Sequence, residues 1–122
     1  MNFINISGTS DKKLDILKSM NISNSTFNTG VQELEYVIKS ISSFGVPQKN
    51  DTVDLNIARG LDYYTGTVYE TTLDQYPDIG SVYSGGRYDN LSEFYIDKKM
   101  PGVGISIGLT RLFYQLNKSH YI

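Results

Sequence analysis

The sequence predicts an α+β domain, with helices first and then a mostly antiparallel sheet that carries helices against one face. Three observations predict it. Apolar residues recur at helical spacing through residues 10–45. The period drops to two from Val53 onward. Eight of the eleven glycines lie between Gly60 and Gly108, where they punctuate short extended segments.

The elements follow in order. Residues 1–9 carry no pattern and are expected to be frayed. Ser10 and Asp11 are suited to cap a short helix running to Met20, with Leu14, Leu17 and Met20 along one face. Residues 21–28 are polar and read as a turn. Thr29 followed by Gln32 has the form of a capping box and opens a longer helix, with Val31, Leu34, Val37, Ile38 and Ile41 on one stripe. Gly45 and Pro47 stop it. Val53, Leu55 and Ile57 alternate with Asp54 and Asn56, as in a half-buried strand. Residues 65–73 form a second strand, 74–80 a turn, and 81–84 a third strand that Gly85 and Gly86 interrupt. A short helix is expected from Tyr88 to about Tyr95. Lys98 and Lys99 sit in a loop before Pro101, and a fourth strand spans 102–107. The final helix presents Leu109, Leu112, Phe113 and Leu116 as its apolar face.

Composition narrows the functions. The 122 residues, 39% hydrophobic and 20% charged, suit one globular domain or a piece of one, which buries roughly two-thirds of its unfolded surface. A net charge of −2 offers no global positive field for nucleic acid, so any RNA contact is local. The lack of cysteine excludes disulfides, thiolate metal sites and thiol nucleophiles, and a single histidine, His120, excludes a poly-histidine metal site. No apolar run approaches a membrane span and MNFINISGTSDKK does not read as a secretory signal, so the expected setting is cytoplasmic, away from membranes.

The chemistry-bearing residues cluster. All three arginines and seven of the ten tyrosines lie within residues 59–111. In ARGLDYYTGTVYE (58–70), Arg59 follows an alternating strand and precedes Gly60, a rigid mount from which a guanidinium can grip a carboxylate or phosphate at two points. Tyr63 and Tyr64 point to opposite faces if extended, so at most one faces a given pocket. The blander alternative is a surface arginine in a salt bridge. In SGGRYD (84–89), two glycines bare the backbone and fix Tyr88; alternatively this is a turn in which Arg87 pairs with Asp89 or Asp62. In PGVGISIGLTR (101–111), Gly102, Gly104, Ser106 and Gly108 share one parity while Val103, Ile105 and Ile107 share the other. One strand face is therefore apolar and the other nearly bare, a surface on which a flat group such as a nucleobase can lie. Arg111 follows in the first turn of the next helix, where its guanidinium can stack on that base or pair with a phosphate. Close helix-on-sheet packing also explains the glycines, but leaves Arg111 without a role.

Together these segments resemble histidyl-tRNA synthetase, a class II aminoacyl-tRNA synthetase family. ARGLDYYTGTVYE resembles its first histidine-specific signature, SGGRYDNL its second, and PGVGISIGLTRLF class II motif 3. The likeness is close over 53–117 and weaker over 10–50, which resembles the family's helical insertion. The resemblance implies two parts: 1–50, the end of the insertion, and 51–122, the C-terminal half of a class II catalytic core. It implies that Arg59 contacts the histidine carboxylate and the ATP α-phosphate, where other class II enzymes rely on a metal ion. Tyr64 and Tyr88, with Tyr63 beside them, would line the imidazole pocket, and Gly85 and Gly86 would shape its wall. Gly104, Ser106 and Gly108 would form the floor under ATP. Arg111 would lie over the adenine and near the γ-phosphate. Arg59 and Arg111 are thus the implied catalytic pair.

The implied reaction joins histidine to ATP as histidyl-adenylate, then passes the histidyl group to tRNA(His). ATP is the implied substrate, Mg2+ is expected without identifiable ligands, and no protein metal site is expected. Motif 1, which builds the family's homodimer, motif 2, the upstream T-x-E segment and an anticodon-binding domain are missing from the sequence. The chain is therefore expected to be a fragment, inactive alone and prone to self-association. Three other readings are the regulatory subunit of ATP phosphoribosyltransferase, an RNA-sensing synthetase-like module of a stress kinase, and a tyrosine-rich interaction domain. Intact Arg59 and Arg111 favour the synthetase over the first, and the acidic, patchless composition disfavours the second.

Overall fold

The computed structural model describes residues 5–58 and 64–122. They fold as two compact units, Met1–Ala58 and Arg59–Ile122. The architecture is α+β, with a three-stranded antiparallel sheet and three α-helices among the described residues.

In the first unit, α1 spans Ser10–Ser19 and α2 spans Ser25–Ser43. The N-cap of α1 is Thr9, not Ser10 or Asp11. A cap needs extended backbone, which Thr9 has, and its hydroxyl accepts from the Lys12 amide. Ser10 is already helical and buried, and its Oγ accepts from the Val53 amide at 3.1 Å. Leu14 and Leu17 are buried, and Met20 is half-buried.

The second helix starts five residues earlier than a cap at Thr29 implies. Asn24 caps it, its Oδ1 accepting from the Phe27 amide at 2.9 Å, so residues 25–28 are helix rather than turn. Thr29 and Gly30 become exposed residues inside the helix. Its end is as the sequence indicates. Gly45 takes φ +83°, its amide donates to Ser42 O, and the Val46 amide donates to Ile41 O, which completes a Schellman motif. Glu35 on α2 bridges Lys18 of α1 and Lys39 of α2, each at 2.8 Å. These ammonium groups hold its carboxyl down at about 2.

Residues 53–57 are not a strand. Val53 is buried and Asp54 and Asn56 are exposed, so the alternation reads burial correctly. The backbone groups, however, are taken by side chains. The Val53 amide goes to Ser10, its carbonyl accepts from Lys13 Nζ at 2.6 Å, and Asp54 Oδ1 accepts from the Asn56 amide at 2.9 Å in a local turn.

In the second unit, β1 spans Val68–Thr71, β2 Tyr83–Tyr88 and β3 Gly102–Ile107, in the order β1-β2-β3. The second strand runs straight through Gly85 and Gly86, which sequence reasoning takes as an interruption. Both are buried and paired on each side, Gly85 with Tyr69 and Ile105, Gly86 with Val68 and Gly104. The strand uses up Tyr88, so the helix expected to Tyr95 shrinks to one 3-10 turn, Leu91–Phe94. β1 is shorter than the 65–73 expected, but the ladder is extended before it: the Thr65 amide donates to Arg87 O, and the Arg87 amide to Thr67 O.

Helix α3 spans Leu109–Lys118. Its start is tied to the sheet by the Gly108 amide, which donates to Val82 O at 2.8 Å. Its expected apolar face is only partly covered. Leu112 and Leu116 are half-buried, but Leu109 is 70% and Phe113 57% exposed, and the buried residue is Gln115, whose Nε2 donates to Ser119 Oγ.

Candidate functional site

Cross-strand register decides which side chains share a face. One row is Val68, Gly86 and Gly104; the next is Glu70, Ser84 and Ser106; Tyr88 and Gly102 continue the same side. Five of these eight front-face residues are glycine or serine. The back face carries Tyr69, Thr71, Tyr83, Gly85 and Arg87, with Val103, Ile105 and Ile107 beside them.

The aromatic end of the front face is built on missing side chains. A Cβ on Gly86 would come within 2.6 Å of Tyr64 Cδ1, and one on Gly102 within 2.5 Å of Tyr88 Cε2. Tyr64 and Tyr88 therefore rest against bare backbone, and Gly104 lies 3.4 Å, on the same measure, from Tyr88 Cε1. Gly85, next to Gly86, opens to the back face instead, where a Cβ would strike Gly104 O and the Tyr69 ring.

Segment 64–67 is pinned by Asp89. Its Oδ2 accepts from Thr65 Oγ1 at 2.8 Å, its amide donates to the same hydroxyl at 3.0 Å, and its Oδ1 accepts from Arg87 Nε at 3.1 Å. The Thr65 hydrogen bond and then Arg87 hold the Asp89 carboxyl below its ordinary value. Arg87 thus pairs with Asp89, as the alternative reading expects, but from within β2 and not from a turn, and serves to fix the segment that carries Tyr64.

At the other end an open cleft of about 1050 Å³ lies between the front face and the start of α3. Ser106, Gly108 and Arg111 line it, together with Glu70, Ser84 and Tyr114. Arg111 is exposed at the rim, and its Nη1 donates to Ser81 O. This end offers a cation, hydroxyls and a ring around bare backbone, which suits a phosphorylated planar ligand. Glu70 is the carboxylate lining the cleft. A magnesium ion takes one or two carboxylates together with waters and phosphate oxygens, so Glu70 could serve as one ligand of a phosphate-borne ion. Among the described residues no three His, Cys, Asp or Glu groups stand together as a metal site, and no helix is long and apolar enough to cross a membrane.

The structure therefore brings Tyr64, Gly86, Tyr88 and Gly104 to one end of the face and Ser106, Gly108 and Arg111 to the other. Arg59 and Tyr63 lie outside the described residues. Glu70, Ser84 and Tyr114 also line the cleft, without a role in the sequence pattern. Tyr114 was findable, since it lies one turn after Arg111 on α3; Glu70 and Ser84 depend on a register that no local pattern reveals.

The family model described as Histidyl-tRNA synthetase matches residues 2–112. A histidine--tRNA ligase of Clostridium tetani is 63% identical over 122 residues, covering 100% of this chain and 28% of that protein. One of Finegoldia magna is 49% identical over the same length, again 100% and 28%. A crystal structure of histidyl-tRNA synthetase from Nostoc sp. PCC 7120 superposes with a TM-score of 0.89 at 52% identity, covering 98% of this chain and 28% of that one. The chain thus spans little more than a quarter of the relatives it matches.

Proposed function

The chain belongs to the histidyl-tRNA synthetase family, and from that membership we propose that it forms the histidine- and ATP-binding side of a histidine-activating synthetase. The observation that carries the proposal is the front face, with tyrosines against bare glycines at one end and a serine-lined cleft rimmed by Arg111 at the other.

Tyr64 and Tyr88 bind the imidazole. Neutral imidazole needs one donor and one acceptor and little added charge, which phenol hydroxyls supply. Gly104, Ser106 and Gly108 form the floor under ATP. Arg111 covers the base and reaches the terminal phosphate from the helix start. Arg59 grips the histidine carboxylate and the α-phosphate together. Attack of a carboxylate oxygen on the α-phosphorus brings two anions together, forms the mixed anhydride and expels pyrophosphate. A cation fixed where that charge grows lowers the barrier, and arginines in comparable phosphoryl transfers are worth about 10³–10⁵ in rate.

The terminal hydroxyl of tRNA(His) then attacks the acyl carbon of the adenylate, forming the ester and releasing AMP. Magnesium accompanies ATP. The rest of the synthetase completes the site and the homodimer, in the cytoplasm. Residues 1–50 belong to the helical insertion and 51–122 to the catalytic core, and the 122 residues alone do not aminoacylate.

The test is exchange of labelled pyrophosphate into ATP by the full-length synthetase carrying this sequence, with each of the twenty amino acids in turn. Stimulation by histidine alone is expected. Histidine binding without exchange, or exchange driven by another amino acid, contradicts the proposal.

A further inference from the structure

Tyr69 stands in the middle of β1 on the back face, directly opposite Gly85. Its ring crosses β2 over that glycine. A Cβ on Gly85 would lie 2.6 Å from Tyr69 Oη and 2.8 Å from Cζ, so only glycine leaves the path open. The hydroxyl emerges two strands away and donates to the Gly104 carbonyl at 2.7 Å. Burial, and to a lesser degree Tyr64, push this phenol's pKa up, so it stays protonated and able to donate. Gly104 is thus tied from behind by Tyr69 and faced in front by the Tyr88 ring.

We propose that Tyr69 is a positioning residue for the ligand face, its hydroxyl setting the depth of the Gly104 floor and hence the height of the Tyr88 ring. The proposal rests on the reading that Tyr88 contacts histidine. No side chain intervenes between Gly104 and Tyr88, because Gly104 has none. A backbone shift of a few tenths of an ångström at Gly104 passes directly to the ring. Phenylalanine would fill the same trough and leave the carbonyl without its donor, so the hydroxyl alone is tested by Tyr69→Phe.

The experiment uses the full-length synthetase with Tyr69→Phe, and with Tyr83→Phe as the same deletion on the same face of the sheet. A net hydrogen bond of ordinary strength corresponds to about three- to tenfold in binding. The histidine KM is expected to rise by about that factor in Tyr69→Phe, with kcat changed by less than about twofold, and Tyr83→Phe is expected to move neither. An unchanged histidine KM overturns the proposal. So does a Tyr69→Phe protein that fails to fold, or equal losses in both variants, since either makes the hydroxyl general support. If the parent shows no histidine-dependent exchange at all, the reading of the site fails separately. Amide exchange in β3 then decides: faster exchange around Gly104 in Tyr69→Phe upholds the tie, and unchanged exchange overturns it.

Discussion

The Arg111 guanidinium folds back from the first turn of α3 and donates through Nη1 to the Ser81 carbonyl, just before β2 begins. A side chain that sequence reasoning assigns to a ligand is therefore also a fastener between helix and strand. The bond orients the guanidinium over the cleft, with Ser84 and Ser106 on the sheet below. A preorganised cation loses less freedom when it meets phosphate than a free one. Its other nitrogens are left to serve a ligand.

Arg59→Lys in the full-length synthetase should cut adenylate formation by about 10³-fold or more, because lysine keeps the charge but loses the planar two-point grip. Circular dichroism should show the fold intact. Pre-steady-state adenylate formation is the measurement, and retention of more than about a tenth of the rate contradicts the role.

Gly30→Ala should stabilise α2. Gly30 lies inside the helix with ordinary backbone angles, and a Cβ there would meet nothing within 4 Å. Replacing an exposed helical glycine by alanine is worth about 0.5–1 kcal/mol. Urea unfolding should show the midpoint rise. A fall would mean that the glycine is needed by a contact outside these residues.

Glu35 should titrate near 2, well below its ordinary value of 4.5, because Lys18 and Lys39 flank the carboxylate. A depressed carboxyl stabilises the folded form above its unfolded pKa. That contribution fades as the pH falls from about 4.5 toward 2, and is gone below. A carboxyl carbon NMR titration checks it. Lys18→Met should raise the value, and so should salt, since both lysines are exposed. A midpoint near 4.5 in the native chain contradicts the ion bridge.

The 122 residues alone should self-associate. On the back of the sheet Val103 and Ile105 are 68% and 66% exposed on β3, which among the described residues is an edge strand. Such edges recruit other chains unless charged or covered. Sedimentation across a concentration series should show mass rising with concentration, and Ile105→Lys should suppress it. A strictly monomeric chain contradicts the expectation.

Much of this was legible in the sequence, for local reasons. The limits of β3 are written by Pro101 and Gly108, and its parity separates Gly104 and Ser106 from Ile105. The stop of α2 is written in Gly45. What was hidden is non-local. Gly85 and Gly86 read as a break, yet they are glycine because the Tyr69 ring crosses one side and Tyr64 leans on the other. Residues 53–57 have a strand's alternation but spend their backbone groups on Ser10, Lys13 and Asp54. Asn24 outcompetes Thr29 as a cap because it opens an extra turn of helix at the cost of one exposed glycine.

The central claim is that the cleft under Arg111 receives ATP. The most direct measurement is pyrophosphate exchange by the full-length Arg111→Ala synthetase, with ATP and histidine varied in turn. The account predicts an ATP KM raised about tenfold or more, the size expected for loss of a charge-assisted contact, with the histidine KM changed by less than about threefold. An unchanged ATP KM would contradict it and leave Arg111 as the fastener of α3 to Ser81 alone.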